Sequence, residues 1–136
     1  MQQVAKSIEA EVRQRAGERC EYCRIPKGFY KTPFQIDHII ALQHGGSSRV
    51  DNLAYACFHC NTHKGPNIAG IDPLTGEISR LFHPRDDRWH EHFQLHGAVL
   101  EGLTPVGRAT VRTLAHNDPN LVAVRQSLLE EGHELS

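Results

Sequence analysis

The chain has 136 residues, 15 Lys and Arg against 16 Asp and Glu, and a formal net charge of −1. That length fits one domain with a modest core, and no run of apolar residues approaches the length of a membrane span. A near-neutral balance excludes a globally basic nucleic-acid binder, so any electrostatic footprint has to be local. The charges are unevenly spread: before residue 65, Lys6, Arg13, Arg15, Arg19, Arg24, Lys27, Lys31, Arg49 and Lys64 outnumber the acids, whereas the tail from Glu91 onward is net acidic. No internal repeat or low-complexity tract is present.

In chain order, residues 4 to 16 read as a helix. Val4, Ile8 and Val12 recur every four positions as an apolar stripe, and Gly17 suits the C-terminal cap. The stripe predicts a helix that covers the core, with Lys6, Arg13 and Arg15 on its polar face. A Cys20-Glu21-Tyr22-Cys23 hook comes next, then Ile25, Phe29, Tyr30 and Phe34 around the turn signal Pro26-Lys27-Gly28. Residues 33 to 40 read as a first strand with Asp37-His38 inside it. Residues 44 to 48 form a Gly and Ser loop, and 50 to 55 lead through Asn52 into a second short strand. A helix starting near Cys57-Phe58-His59-Cys60 carries Asn61, His63 and Lys64 and ends at Gly65-Pro66.

Beyond residue 67, Asp72-Pro73 and Thr75-Gly76 mark a turn feeding a strand over 78 to 82. Asp86 or Asp87 is placed to cap a short helix through Trp89, His92 and Phe93, with Trp89 and Phe93 as core. Residues 93 to 103 read as a hairpin turning at His96-Gly97. Thr104-Pro105 and Asp118-Pro119 each combine a capping residue with proline at the first helical position, so two helices follow, the last ending at Gly132. Trp89-His90-Glu91-His92 lacks the spacing of a metal helix, because its histidines lie on different faces.

All four cysteines fall in two CxxC pairs. Each pair sets two sulfurs on one side of a tight turn, and two pairs make the closed thiolate shell that structural Zn²⁺ prefers. The start of the chain has no apolar leader, which points to a reducing, cytoplasmic setting where disulfides do not persist. The gap between the hooks is longer than in small zinc fingers. It holds Asp37, His38 and Asn52, residues that metal stapling alone does not require.

CxxC, Asp-His-Ile, Gly-Gly, Asn-Leu and CxxC-Asn-x-x-Lys, in that order over about a third of the chain, resemble the HNH endonuclease family. The resemblance implies an α+β fold with a ββα-metal (His-Me finger) core over about 18–66 and a four-cysteine zinc knuckle. An N-terminal helix precedes this core, and a scaffold extension over about 67–136, with a hairpin plus two helices, completes a single domain. It implies Cys20, Cys23, Cys57 and Cys60 as structural zinc ligands, His38 as general base and Asn52 as the residue that fixes the active loop and orients His38. Asp37 and Asn61 would hold a catalytic Mg²⁺ or Mn²⁺. The last family position is often His, so His63 is a rival to Asn61; residues two apart on a helix do not share a face, and motif position favours Asn61. Lys64 and Arg85 are candidates for DNA-phosphate contacts, Arg85 also for an ion pair with Asp86 or Asp87. Some bacterial and phage HNH proteins carry a similar Pro-Arg and Trp/His-Phe continuation, extending the likeness to about residue 115.

The chemistry follows from the residue types. Phosphodiester hydrolysis needs an activated water, neutralised phosphate charge and a stabilised leaving oxygen. A neutral histidine can take the proton, and hard oxygen ligands suit a divalent cation with positions left open for phosphate and water. Neighbouring Asp37 and His38 would point to opposite faces of a regular strand, so a bend or strand end is required there. These features make a metal-dependent DNA endonuclease the expected activity, with a homodimer called for only if both strands are cut. The competing expectation is a non-catalytic zinc-stabilised module that binds nucleic acid or protein. A zinc deaminase is excluded by the missing His-x-Glu and Pro-Cys-x-x-Cys signatures.

Overall fold

The computed structural model describes residues 4–29 and 32–136; Tyr30 and Lys31, placed above after the first hook, lie outside the described residues. Helix α1 spans Lys6–Arg15. Its stripe of Val4, Ile8 and Val12 packs on Leu53 and Tyr55, a small cluster of its own beside the main core. Arg15, expected on an exposed basic face, instead donates to the carbonyls of Val50 at 2.9 Å and Leu53 at 2.6 Å, fastening the helix end to the strand beneath it.

The ββα unit follows. Strand β1, Gln35–His38, pairs antiparallel with β2, Leu53–Ala56, with Asp37 opposite Ala54 and His38 opposite Leu53. All four residues of β2 are buried, as a strand covered on both faces should be. Helix α2, Phe58–Lys64, begins at Cys57, whose sulfur accepts from the Cys60 N–H at the N-cap. It is short because Gly65 and Pro66 break it.

The extension contributes two more hairpins and three helices. Strands β3 (Ala69–Ile71) and β4 (Ile78–Arg80) flank the Asp72 turn. Helix α3 covers Trp89–His92, and β5 (Phe93–His96) pairs with β6 (Val99–Gly102) across Gly97, whose φ of 58° explains glycine at the turn. Helices α4 (Pro105–Thr113) and α5 (Pro119–Glu130) start as expected: Thr104 accepts from Gly107 N–H, Asp118 from Asn120 N–H. α4 packs against both hairpins. It approaches so closely that a Cβ on Gly107 would run into the carbonyl of His92.

Two expectations are corrected. Strand β3 was not foreseen, its three residues showing no periodicity of their own. Neither Asp86 nor Asp87 caps α3, whose N-cap is Arg88 without a side-chain bond. Asp87 instead accepts from Arg80 at 2.7 and 3.0 Å and from the His83 N–H at 2.9 Å.

The main core of the α+β molecule joins the ββα unit to the extension. The four cysteines, Tyr22 and Ile25 share it with Phe82, Trp89, Phe93, Leu114, Leu121 and Leu128 from the extension. Each large apolar side chain so placed contributes about 1.5–3 kcal/mol by leaving water. The extension therefore completes the core rather than decorating it.

Candidate active site and metal centre

The two hooks meet. The sulfurs of Cys20, Cys23, Cys57 and Cys60 all lie within 4.8 Å of one another and are buried. Cys23 Sγ and Cys57 Sγ are 3.7 Å apart, which is the edge of a tetrahedron with metal–sulfur bonds of about 2.3 Å. In each hook the second cysteine's N–H donates to the first one's sulfur at 3.4 Å, the bond that settles charge onto a thiolate. Burial works against charge on Cys20, but hydrogen bonds from Cys23, Cys57 and Cys60 outweigh it and hold that thiol below its ordinary value. Burial pushes Cys23 and Cys60 up. Four buried sulfurs this close can carry charge together only with a cation among them. The residues are positioned to bind a metal ion, and the spacing matches zinc.

The first hook is also locked to β2. Tyr55 carbonyl accepts from Glu21 N–H at 2.9 Å, and the Glu21 carboxylate accepts from Tyr55 N–H at 2.8 Å. Arg85 pairs with the same carboxylate, and the Trp89 indole donates to the Tyr22 carbonyl at 2.9 Å. Arg85 is thereby taken up by Glu21, not by Asp86 or Asp87, and is largely covered.

Next to the knuckle, β1, the loop after it and α2 border an open cleft of about 320 Å³ lined by Gln35, Asp37, His38, Leu42 and Asn61 among others. β1 ends on His38 and the chain bends directly after it, which meets the requirement that Asp37 and His38 serve one site. Asp37 is 4% exposed. Its carboxylate accepts from the Tyr22 hydroxyl at 2.7 Å, and the Lys64 ammonium lies 3.3 Å from both carboxylate oxygens. Burial raises the Asp37 carboxyl against the lowering pull of Lys64 and Tyr22. Lys64, itself 2% exposed, also donates to the His38 carbonyl at 3.1 Å, so its cation is turned inward rather than offered to solvent.

His38 Nε2 and Ser48 Oγ share a hydrogen bond of 3.0 Å. Asn52 sits in a 3-10 turn before β2 and clamps the intervening loop. Its Oδ1 accepts from Ile40 N–H at 2.9 Å, while its Nδ2 donates to the carbonyls of Ile40 at 2.9 Å and Ser47 at 2.7 Å. Gly46 lies where this loop folds back, and a Cβ there would collide with the Ile40 carbonyl. The Gly-Gly pair is explained by that contact together with the φ of 87° at Gly45. Asn61 Nδ2 donates to Gln35 Oε1 at 2.6 Å, leaving its amide oxygen without a hydrogen-bond partner among the described residues. His63 is not in the cleft lining. Its ring stacks on His59 at 4.0 Å and bonds the His59 carbonyl, on the side where His59 meets the carbonyls of Leu114 and Ala115.

The cleft thus gathers Asp37, His38 and Asn61 and leaves His63 and Arg85 outside its lining. Sequence reasoning missed three participants. Tyr22 had a usable signal, a phenol between two hook cysteines; Ser48 and Gln35 had none beyond their place in a loop and a strand.

Comparison with known proteins agrees with this geometry. Residues 20–67, which hold the hooks, the cleft lining and the segment joining them, match the model of the HNH endonuclease family over about a third of the chain. No significant match came from the curated proteins or from the solved structures.

Proposed function

We propose that the protein is a metal-dependent DNA endonuclease that hydrolyses phosphodiester bonds in the cleft between β1 and α2. The observation that carries this reading is a cleft lined by Asp37, His38 and Asn61 beside four clustered cysteines. The cysteines would hold a structural Zn²⁺. For the catalytic ion, a buried carboxylate and an amide oxygen without a hydrogen-bond partner among the described residues are hard donors that suit Mg²⁺ or Mn²⁺. A divalent ion bound there supplies charge neutralisation at the phosphate and the leaving oxygen.

The chain's own residues do the rest. In the tautomer that donates Nε2–H to Ser48 Oγ, Nδ1 of His38 is left to accept the proton of the attacking water. As the water oxygen bonds to phosphorus, the bond to the 3′-oxygen breaks, giving a 5′-phosphate and a 3′-hydroxyl reprotonated from solvent. Asn52 keeps the loop that carries Ser48 in register with His38. Tyr22 and Lys64 hold the Asp37 carboxylate in one orientation. A homodimer finds no support, and the mechanism needs one site per chain.

The test is a supercoiled plasmid incubated with zinc-loaded protein and Mg²⁺ or Mn²⁺, alongside the His38→Ala variant. Nicking by the wild type and not by the variant supports hydrolysis at this cleft; equal cleavage by both refutes it. The buried Asp37–Lys64 pair favours a second reading, a zinc-stabilised binding module whose acid is structural. DNA binding without cleavage in either metal would establish that alternative.

A further inference from the structure

Among the described residues, Lys64 is the one full positive charge that touches the candidate ion site. Its ammonium is 3.3 Å from both oxygens of Asp37 and 3.1 Å from the His38 carbonyl, with lysine and carboxylate each almost wholly out of water. A carboxylate in such a place is costly without a counter-charge, and the pair as it stands sums to zero. The last turn of α2 suits a cation, because its carbonyl end carries the negative pole of the helix. Around the pair the cleft lining offers neutral groups such as Gln35 and Asn61, and neither lysine nor arginine.

We infer that Lys64 is a tethered stand-in cation that keeps Asp37 from holding a divalent ion tightly until a DNA phosphate enters the cleft. The inference rests on the proposed reading of Asp37 and Asn61 as ion ligands and adds an order of assembly to it. A divalent ion placed on Asp37 beside Lys64 would leave that trio with an excess of two positive charges. Among the described residues no Asp or Glu other than Asp37 lines the cleft to offset them, the thiolates of the knuckle being already engaged by their own ion. In a partly desolvated site that repulsion is not screened away. The phosphodiester brings the missing negative charge. Ion and DNA therefore bind as mutually reinforcing ligands, and the reinforcement runs equally in both directions. Lys64 is a positioning residue in this scheme: it sets the ion's affinity and orients Asp37 and the His38 carbonyl without touching the reacting atoms.

The test measures Mn²⁺ binding by the loss of the free-ion paramagnetic resonance signal. Zinc-loaded protein in a His38→Ala background keeps DNA intact, and titrations are run with and without a short duplex. With Lys64 present, the duplex should tighten Mn²⁺ by about tenfold or more, within the ordinary range for coupled ligands. Lys64→Met should bind Mn²⁺ about tenfold tighter without DNA and lose most of the duplex effect, while Asp37→Asn should remove the site. Equal or weaker Mn²⁺ binding by Lys64→Met, or an undiminished duplex effect, overturns the inference while the endonuclease reading stands. Should Lys64→Met not fold, Mn²⁺ affinity independent of the duplex in the parent protein overturns it just as well. If Mn²⁺ binds none of the proteins even with DNA, the ion site itself falls and Lys64 with it.

Discussion

Replacing Asn52 by Ala offers the sharpest test of how the cleft is held. The asparagine is 8% exposed and makes three hydrogen bonds of 2.9, 2.9 and 2.7 Å, all to main-chain atoms of Ile40 and Ser47. Each such bond contributes about 1 kcal/mol net, so the truncation should cost about 3 kcal/mol, with water recovering part of it at the exposed loop edge. For a chain of this length that corresponds to a fall of about 10 °C in Tm. Thermal and urea unfolding of the zinc-loaded proteins gives the number, and amide exchange at Ile40 reports whether the loss is local. Asn52→Asp sharpens the argument: it keeps an acceptor for Ile40 N–H but sets a carboxylate against two carbonyl oxygens, so it should be no milder than Ala. A loss below about 0.5 kcal/mol for Ala, or a stable Asp variant, would show that the clamp is not what holds the loop.

Two further outcomes follow from buried groups. Stripping the metal from the cysteine cluster should lower Tm by about 10 °C or more and expose four thiols to a thiol-reactive dye, because the hooks sit in the shared core; an apoprotein melting within a couple of degrees of the loaded form would overturn that role. His116 is fully buried and its two ring nitrogens have no hydrogen-bond partner among the described residues, and burial brings its pKa down to about 3. The unfolded chain takes up this proton near pH 6.5 and the folded one does not, so stability is complete above that pH and declines as pH falls from about 6.5 toward 3. His116→Phe, which keeps an aromatic ring beside Phe93, should flatten the stability–pH curve in that window; an unchanged slope would show that the imidazole is not buried neutral.

What could be read in advance was whatever leaves a local trace. Thr104-Pro105 and Asp118-Pro119 announce their helices because cap and proline act within one turn. The Asp-His pair and Asn61 were legible because their spacing relative to the hooks repeats a family pattern. Strand β3 left no trace: Ala69–Ile71 is a strand because β4 pairs with it and α4 covers Gly70. The partners of Lys64 and Arg85 lie 27 and 64 residues away, and nothing in either neighbourhood says that a cation there will face inward. Both were candidates for phosphate contacts, Arg85 equally for an ion pair with Asp86 or Asp87, and both are found closing pairs with distant acids, Asp37 and Glu21. Ser48 was hidden for the same reason, since it meets His38 through the fold of a loop that Asn52 holds from its far end.

The grip of Trp89 and Arg85 on the first hook has a bearing on how this domain could be re-used. A chimera cut at Gly65-Pro66, where the chain itself invites scissors, would carry all four sulfurs yet discard the indole and guanidinium that keep their turn shut. A graft extended past Phe93 would bring those two side chains along. The portable unit is thus longer than its signature, and its true edge lies in the tail.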